Sequence, residues 1–172
     1  MIKIFLIGFM GSGKTTIGRR LAERIGFDFV DTDRFIEMQH GMTVSELFSR
    51  YGETAFREME HDILLKIQNV EYAVVSTGGG MPCYGDNLDV MRSCGKVVYL
   101  KLSPQALTRR LLCSRNERPL IKGKTEKKLQ QYIVEKLKER EPFYSRAHMI
   151  VQIENFSIEE LLEALNMLKK DF

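Results

Sequence analysis

Cysteine is scarce in this chain and odd in number. Cys83, Cys94 and Cys113 form no C-x-x-C pair, which excludes a disulfide framework and a cysteine metal site and predicts reduced thiols in a cytoplasmic protein. Long apolar runs are missing too. None approaches the ~20 residues that a spanning helix needs, so no membrane partner is expected. The opening "MIKIFLIGF" ends at once in glycines and lacks a cleavage pattern, so it reads as a buried strand and not as a secretory leader. There is little excess charge. A formal net charge of +3 is too mild to imply a nucleic-acid partner, and the question becomes where the arginines lie. There is no internal repeat, low-complexity tract or linker. At 172 residues the chain can bury one sizeable core but not two, so a single domain over 1–172 is expected.

What the chain does have is alternation. Ile2–Ile7 reads as a buried strand, Lys14–Ile25 as a helix stopped by Gly26, and 27–30 as a second strand ending at Asp31. Thr43 and Glu46 form a capping box before a helix over 44–51, Gly52 ends it, and a longer helix covers 53–68. Strands follow at Tyr72–Ser76 and 96–100, and Ser103 and Pro104 open another helix. The stretch "CSRNERPLIKGKTEKK" is polar, basic and weakly patterned, and reads as a long loop or lid, about 113–125. The helix after it is expected to stop at Pro142. A last strand covers 149–153, and Ser157 with Glu160 caps a final helix. Five strands joined by helical crossovers predict an α/β fold: three α/β/α layers around a central five-stranded parallel sheet. Ligands on such sheets bind at the carboxyl ends of the strands.

"GFMGSGKT" satisfies G-x-x-x-x-G-K-[ST] through Gly8, Gly13, Lys14 and Thr15, with a strand before it and a helix after it. Its glycines let backbone N–H groups turn toward phosphates, and the helix adds the positive end of its dipole. Lys14 can reach the β- and γ-phosphates, and the Thr15 hydroxyl can ligate Mg²⁺. The plainer reading is a glycine-rich turn. A nucleoside triphosphate is therefore expected, and its acceptor is left open. No GTPase switch or base-recognition motif accompanies the loop, so a small-molecule kinase fits best.

"FVDTDRFIE" puts Asp31 and Asp33 at the end of the second strand, where alternation can turn both toward the phosphate loop. Asp31 would support the metal through water, and Asp33 would bind an acceptor hydroxyl and could take its proton. Capping of the next helix is the plainer role for Asp31. Arg57 stands three residues before Glu60. This reads either as a surface ion pair or as an arginine aimed at an anionic substrate. Arg140 is equally ambiguous alone. The run "VVSTGGGMP" is the strangest feature, because Gly78, Gly79 and Gly80 carry an entropic cost that a mere turn would not need.

"GFMGSGKTT", "DTDRFIE", "FREME", "STGGG", "RPL" in a basic lid and "REPFY" occur in this order over nearly the whole chain. Together they resemble the shikimate kinases of the nucleoside-monophosphate-kinase-like P-loop proteins. The resemblance implies phosphorylation of the 3-hydroxyl of shikimate by ATP, on the route to chorismate and the aromatic amino acids. It implies that Gly11, Ser12, Gly13, Lys14, Thr15 and Thr16 wrap the ATP phosphates, with Mg²⁺ on Thr15. Asp33 would hold the reacting hydroxyl, and Arg57 and Arg140 would clamp the carboxylate. Gly78, Gly79 and Gly80 would floor the acceptor pocket, with the Gly79 N–H on the substrate. Arg118 would close with the lid onto the phosphates, and Arg110 would stack on adenine. A monomer is expected. One departure is the loop "IENFSIEE", which has nothing basic for adenine where relatives often do. The rivals are another small-acid kinase of this fold, such as a gluconate kinase, and a nucleotide-binding module without catalysis.

Overall fold

The computed structural model describes residues 2–114, 121, 123–154 and 158–168. Five strands form one sheet: β1 (Ile2–Ile7), β2 (Asp28–Asp31), β3 (Tyr72–Ser76), β4 (Lys96–Lys101) and β5 (Met149–Gln152). Their order is β2-β3-β1-β4-β5, and every pairing is parallel. Seven helices surround it among the described residues: α1 (Lys14–Ile25), α2 (Thr32–His40), α3 (Val44–Ile67), α4 (Asn87–Cys94), α5 (Pro104–Leu112), α6 (Glu126–Tyr144) and α7 (Ile158–Leu168).

Both faces of the sheet are covered, which is why its strands read as near-continuous apolar runs. Along β1, Ile4 and Leu6 join one core with Leu21, Leu107 and Ile133 of α1, α5 and α6, whereas Phe5 and Ile7 join a second core with Phe56, Ile63 and Met91 of α3 and α4. Leu6 pairs in register with Ser76, and Ser76 with Asp31. Three neighbouring strands thus reach the carboxyl edge of the sheet at one level, and the loops that follow them meet there.

Local signals explain most boundaries. The capping box forms, with the Glu46 carboxylate accepting from the Thr43 N–H at 2.7 Å and the Thr43 hydroxyl oxygen from the Glu46 N–H at 3.2 Å. Gly52, at φ 81° and ψ 175°, is non-helical backbone, so α3 consists of two helical segments that meet at a kink there, as expected. Two expectations need correction. Helix α6 does not stop at Pro142 but carries on through it to Tyr144. The proline lies in the last turn, and the wholly buried Tyr144 ring holds that turn against the second core. Asp33 does not lie at a strand end, since β2 stops at Asp31 and Asp33 sits in the first turn of α2. Helix α4 and the 3₁₀ turn Met81–Cys83 were not anticipated. The Ser157 cap and most of the lid lie outside the described residues.

Candidate active site

The phosphate loop leaves β1 through Gly8, Gly11 and Gly13, at φ of 141°, 82° and 95°, backbone that L side chains rarely adopt. At Gly8 a Cβ would also come within 2.7 Å of the Leu100 carbonyl oxygen. Gly13 caps α1 without a side-chain hydrogen bond, so the helix offers its amino end to an anion. Lys14 arches back over the loop and donates to the Gly8 and Phe9 carbonyls at 2.8 and 3.0 Å. Ser12 Oγ is buried without a partner among the described residues. A cleft of about 350 Å³ opens here, bounded by Gly11, Gly13, Lys14, Thr15, Thr16 and Asp31. Arg110 reaches the loop from α5 and donates to the Ser12 carbonyl at 3.2 Å.

Asp31 caps α2, the plainer of its two expected roles, and also faces the phosphate loop. One carboxylate oxygen accepts from the Thr15 hydroxyl at 2.8 Å, and the other from the Arg34 N–H at 3.3 Å as the cap of α2. The Ser76 hydroxyl lies 3.4 Å from that of Thr15. This cluster of hard oxygen donors suits Mg²⁺, which takes few protein ligands and relies on phosphate and water for the rest. Among the described residues no group of three or more His, Cys, Asp or Glu could hold a metal by itself.

Beside the cleft lies a second pocket, walled by Val44, Phe48 and Phe56 and edged by Asp33, Arg57, Glu60, Gly78, Gly79, Gly80 and Arg140. Arg57 and Glu60 do pair, at 2.5 Å, but this is no surface pair: they are 8% and 0% exposed. Burial works against the Arg57 cation, yet Glu60 and then Glu53, at 2.9 Å, hold its pKa above the usual value. Burial pushes the Glu60 carboxyl the other way, up to about 7, with Arg57 opposing. Arg140 lies over the Phe9 ring at 5.4 Å.

The glycine triplet is explained largely by this pair. A Cβ on Gly78 would collide with the Glu60 carboxylate, and one on Gly80 with the Arg57 guanidinium. At Gly79 the nearest group is Arg140 at 3.3 Å. The backbone at 78 and 80 is thus bare because the protein's own ion pair passes there.

Two residues that the sequence reading passed over hold the triplet in place. Thr32, wholly buried, accepts from the Gly78 N–H at 2.9 Å, and the Tyr144 hydroxyl donates to the Gly79 carbonyl at 2.5 Å. Burial of Arg57 and Glu60 did leave a trace, because they share a helical stripe with Phe56, Ile63, Leu64 and Ile67. Arg118 lies outside the described residues. Cys83 is partly buried beside the pocket, and burial pushes its thiol up to about 11, so it stays protonated.

A parallel sheet of this order, a phosphate loop after its first strand and a polar pocket at the adjoining strand ends define a P-loop kinase. The shikimate kinase family model matches residues 10–169. The shikimate kinase of Bacteroides thetaiotaomicron is 40% identical over 97% of this chain and 100% of its own length. A crystal structure of shikimate kinase from that organism superposes with a TM-score of 0.90 at 39% identity, covering 98% of each chain. The Acinetobacter baumannii shikimate kinase in complex with shikimate gives 0.87 at 32% identity, over 99% of this chain and 94% of that one. The chain belongs to the shikimate kinase family.

Proposed function

We propose that this protein transfers the γ-phosphoryl group of ATP to the 3-hydroxyl of shikimate, giving shikimate 3-phosphate and ADP. The observation that carries this reading is the position of Asp33, which lines both the phosphate cleft and the arginine pocket. A hydroxyl held there would face the transferring phosphoryl group. Asp33 orients it and takes its proton as the new P–O bond forms and the bond to ADP breaks. Such transfers depend on positioning and charge stabilisation more than on a strong base. Lys14 and the loop N–H groups, with Gly11, Ser12, Gly13, Thr15 and Thr16, hold the phosphates. Thr15, with Asp31 acting through water, would hold Mg²⁺, which would supply positive charge against the phosphates. Arg57 and Arg140 clamp the shikimate carboxylate over the 78–80 backbone. Arg110 faces the adenine, and Arg118 joins the phosphates when a lid over about 113–125 closes and excludes water.

We read the chain as one kinase domain over 1–172, acting as a cytoplasmic monomer. Among the described residues no helix is long and apolar enough to cross a membrane, and all three cysteines are free. The test is ADP release with a panel of acceptors. Release dependent on shikimate supports the reading. Release dependent on gluconate would assign the site to another small-acid kinase, and none with any acceptor would leave a binding module.

A further inference from the structure

At the opposite end of the sheet, among the amino ends of the strands, lies a separate cleft of about 500 Å³. Its polar lining is Lys3, Gln68, Arg92, Ser93, Lys96 and His148, and among the described residues no carboxylate borders it. Lys3 is the anomaly. It interrupts the apolar run of β1 and is only 1% exposed, yet it makes no hydrogen bond or ion pair among the described residues. Its stem is buried while the ammonium borders the cleft, the arrangement that long cationic side chains favour. Burial raises the pKa of the Cys94 thiol on the cleft wall, and the nearby Lys3 ammonium opposes that shift.

The His148 ring is left with a donor. His148 Nδ1 accepts from the Val97 N–H at 3.0 Å, so a neutral ring carries its proton on Nε2. Burial, and then the charges of Arg92 on α4 and Lys96 on β4, hold His148 below the usual histidine pKa. An anion in the cleft would offset the Arg92 charge beside His148 and give the Lys3 ammonium a counter-charge.

We propose that this cleft binds a small polyanion, a compact organic phosphate or polycarboxylate, separately from the kinase site. A cavity of this size exceeds what one inorganic ion fills and falls within the usual range for small-molecule pockets. Lys3 lies roughly 16 Å from Gly8 at the rise of an extended strand, so a ligand here would not touch the phosphate loop directly.

The test follows the imidazole resonances of His40, His61 and His148 by NMR, with saturating ADP and shikimate filling the kinase site. Pyrophosphate and citrate are titrated separately, against sodium chloride of matched ionic strength. The expected result is a saturable shift of His148 alone, with its pKa raised by the bound anion; whichever probe binds tighter identifies phosphate or carboxylate as the preferred group. Lys3→Met, which keeps the length and removes the charge, should weaken that binding at least tenfold. Arg92→Gln, on the exposed rim, should weaken it severalfold and carries the test if Lys3→Met does not fold. The proposal is overturned if His148 responds to the probes only as it does to sodium chloride, or if the folded variants keep wild-type affinity.

Discussion

The Glu60 carboxylate occupies the space that a side chain at position 78 would need. Gly78 and Glu60 therefore constrain each other, and the constraint separates glycines that serve the fold from the one proposed to serve the substrate. Gly78→Ala forces a methyl group onto a carboxylate pinned by Arg57, and overpacking of this kind costs about 1–3 kcal/mol. Gly79→Ala meets only Arg140 at 3.3 Å and the loop backbone from 3.4 Å. Urea unfolding should show Gly78→Ala clearly destabilised and Gly79→Ala close to wild type, with the latter raising the shikimate KM instead. Equal destabilisation would mean that the triplet is purely structural.

Glu60 also sets a pH dependence. Its folded pKa, about 7, lies above the ordinary value of 4.5 because burial disfavours the carboxylate. Between those values the folded chain holds a proton that the unfolded chain has released. This contribution to stability is full below about 4.5, declines as pH rises, and is gone above about 7. Glu60→Gln should flatten that part of the stability profile. Shikimate bound on Arg57 should draw Glu60 further toward its protonated form, giving proton uptake near pH 7.5 in the wild type and none in the variant. Calorimetry in buffers of different ionisation enthalpy reads this directly, and identical uptake in both proteins would place the proton elsewhere.

Asp31 bridges a helix cap and the Thr15 hydroxyl, so Asp31→Asn should leave the fold intact, because Asn caps a helix as well as Asp. The amide loses the charge that would hold water on Mg²⁺. Supporting groups of this kind typically change metal affinity or activity by 10–100-fold. The half-saturating Mg²⁺ concentration should rise by about that factor, while the KM for ATP at saturating Mg²⁺ changes little. An unaltered Mg²⁺ dependence would leave Asp31 as a cap alone.

The parts of the site built from local patterns were legible in the sequence. The phosphate loop is a spacing, the Thr43–Glu46 box is a spacing, and the buried strands show in their β-branched runs. Contacts closed by the tertiary fold were not. Nothing near Thr32 says that its hydroxyl will meet the Gly78 N–H, and nothing near Tyr144 points to Gly79. That Asp33 borders the phosphate cleft was legible but its position was not, because alternation along a strand and the first turn of a helix can both bring a carboxylate to the same loop. Pro142 misled for a related reason. Its local effect is real, but packing of the residue two places on outweighs it.

The two arginines of the pocket differ in what holds them, and this allows binding to be separated from folding. Arg57 is buried and tied to Glu60 and Glu53, whereas Arg140 is only partly buried and rests on the Phe9 ring. Both should clamp the substrate carboxylate, since a guanidinium can make two parallel charge-assisted hydrogen bonds to it. Arg140→Ala should thus raise the shikimate KM by the equivalent of about 2–5 kcal/mol, the scale for losing one partner of a desolvated charge pair, with little effect on the KM for ATP or on stability. Arg57→Ala should raise the shikimate KM as well, and in addition destabilise the protein increasingly as pH rises above 7. Glu60, without the cation that opposes its burial, must then take up a proton or stay buried and unpaired, at a cost of up to about 3–5 kcal/mol, the scale for breaking a buried pair. Combining Arg57→Ala with Glu60→Gln should restore much of that stability but none of the shikimate affinity. Lysine at either position should rescue poorly, because a point charge lacks the planar fork. Steady-state kinetics and unfolding curves on the same preparations decide the matter. If the double variant recovers wild-type shikimate KM, Arg57 acts only by neutralising Glu60, and the carboxylate clamp reduces to Arg140.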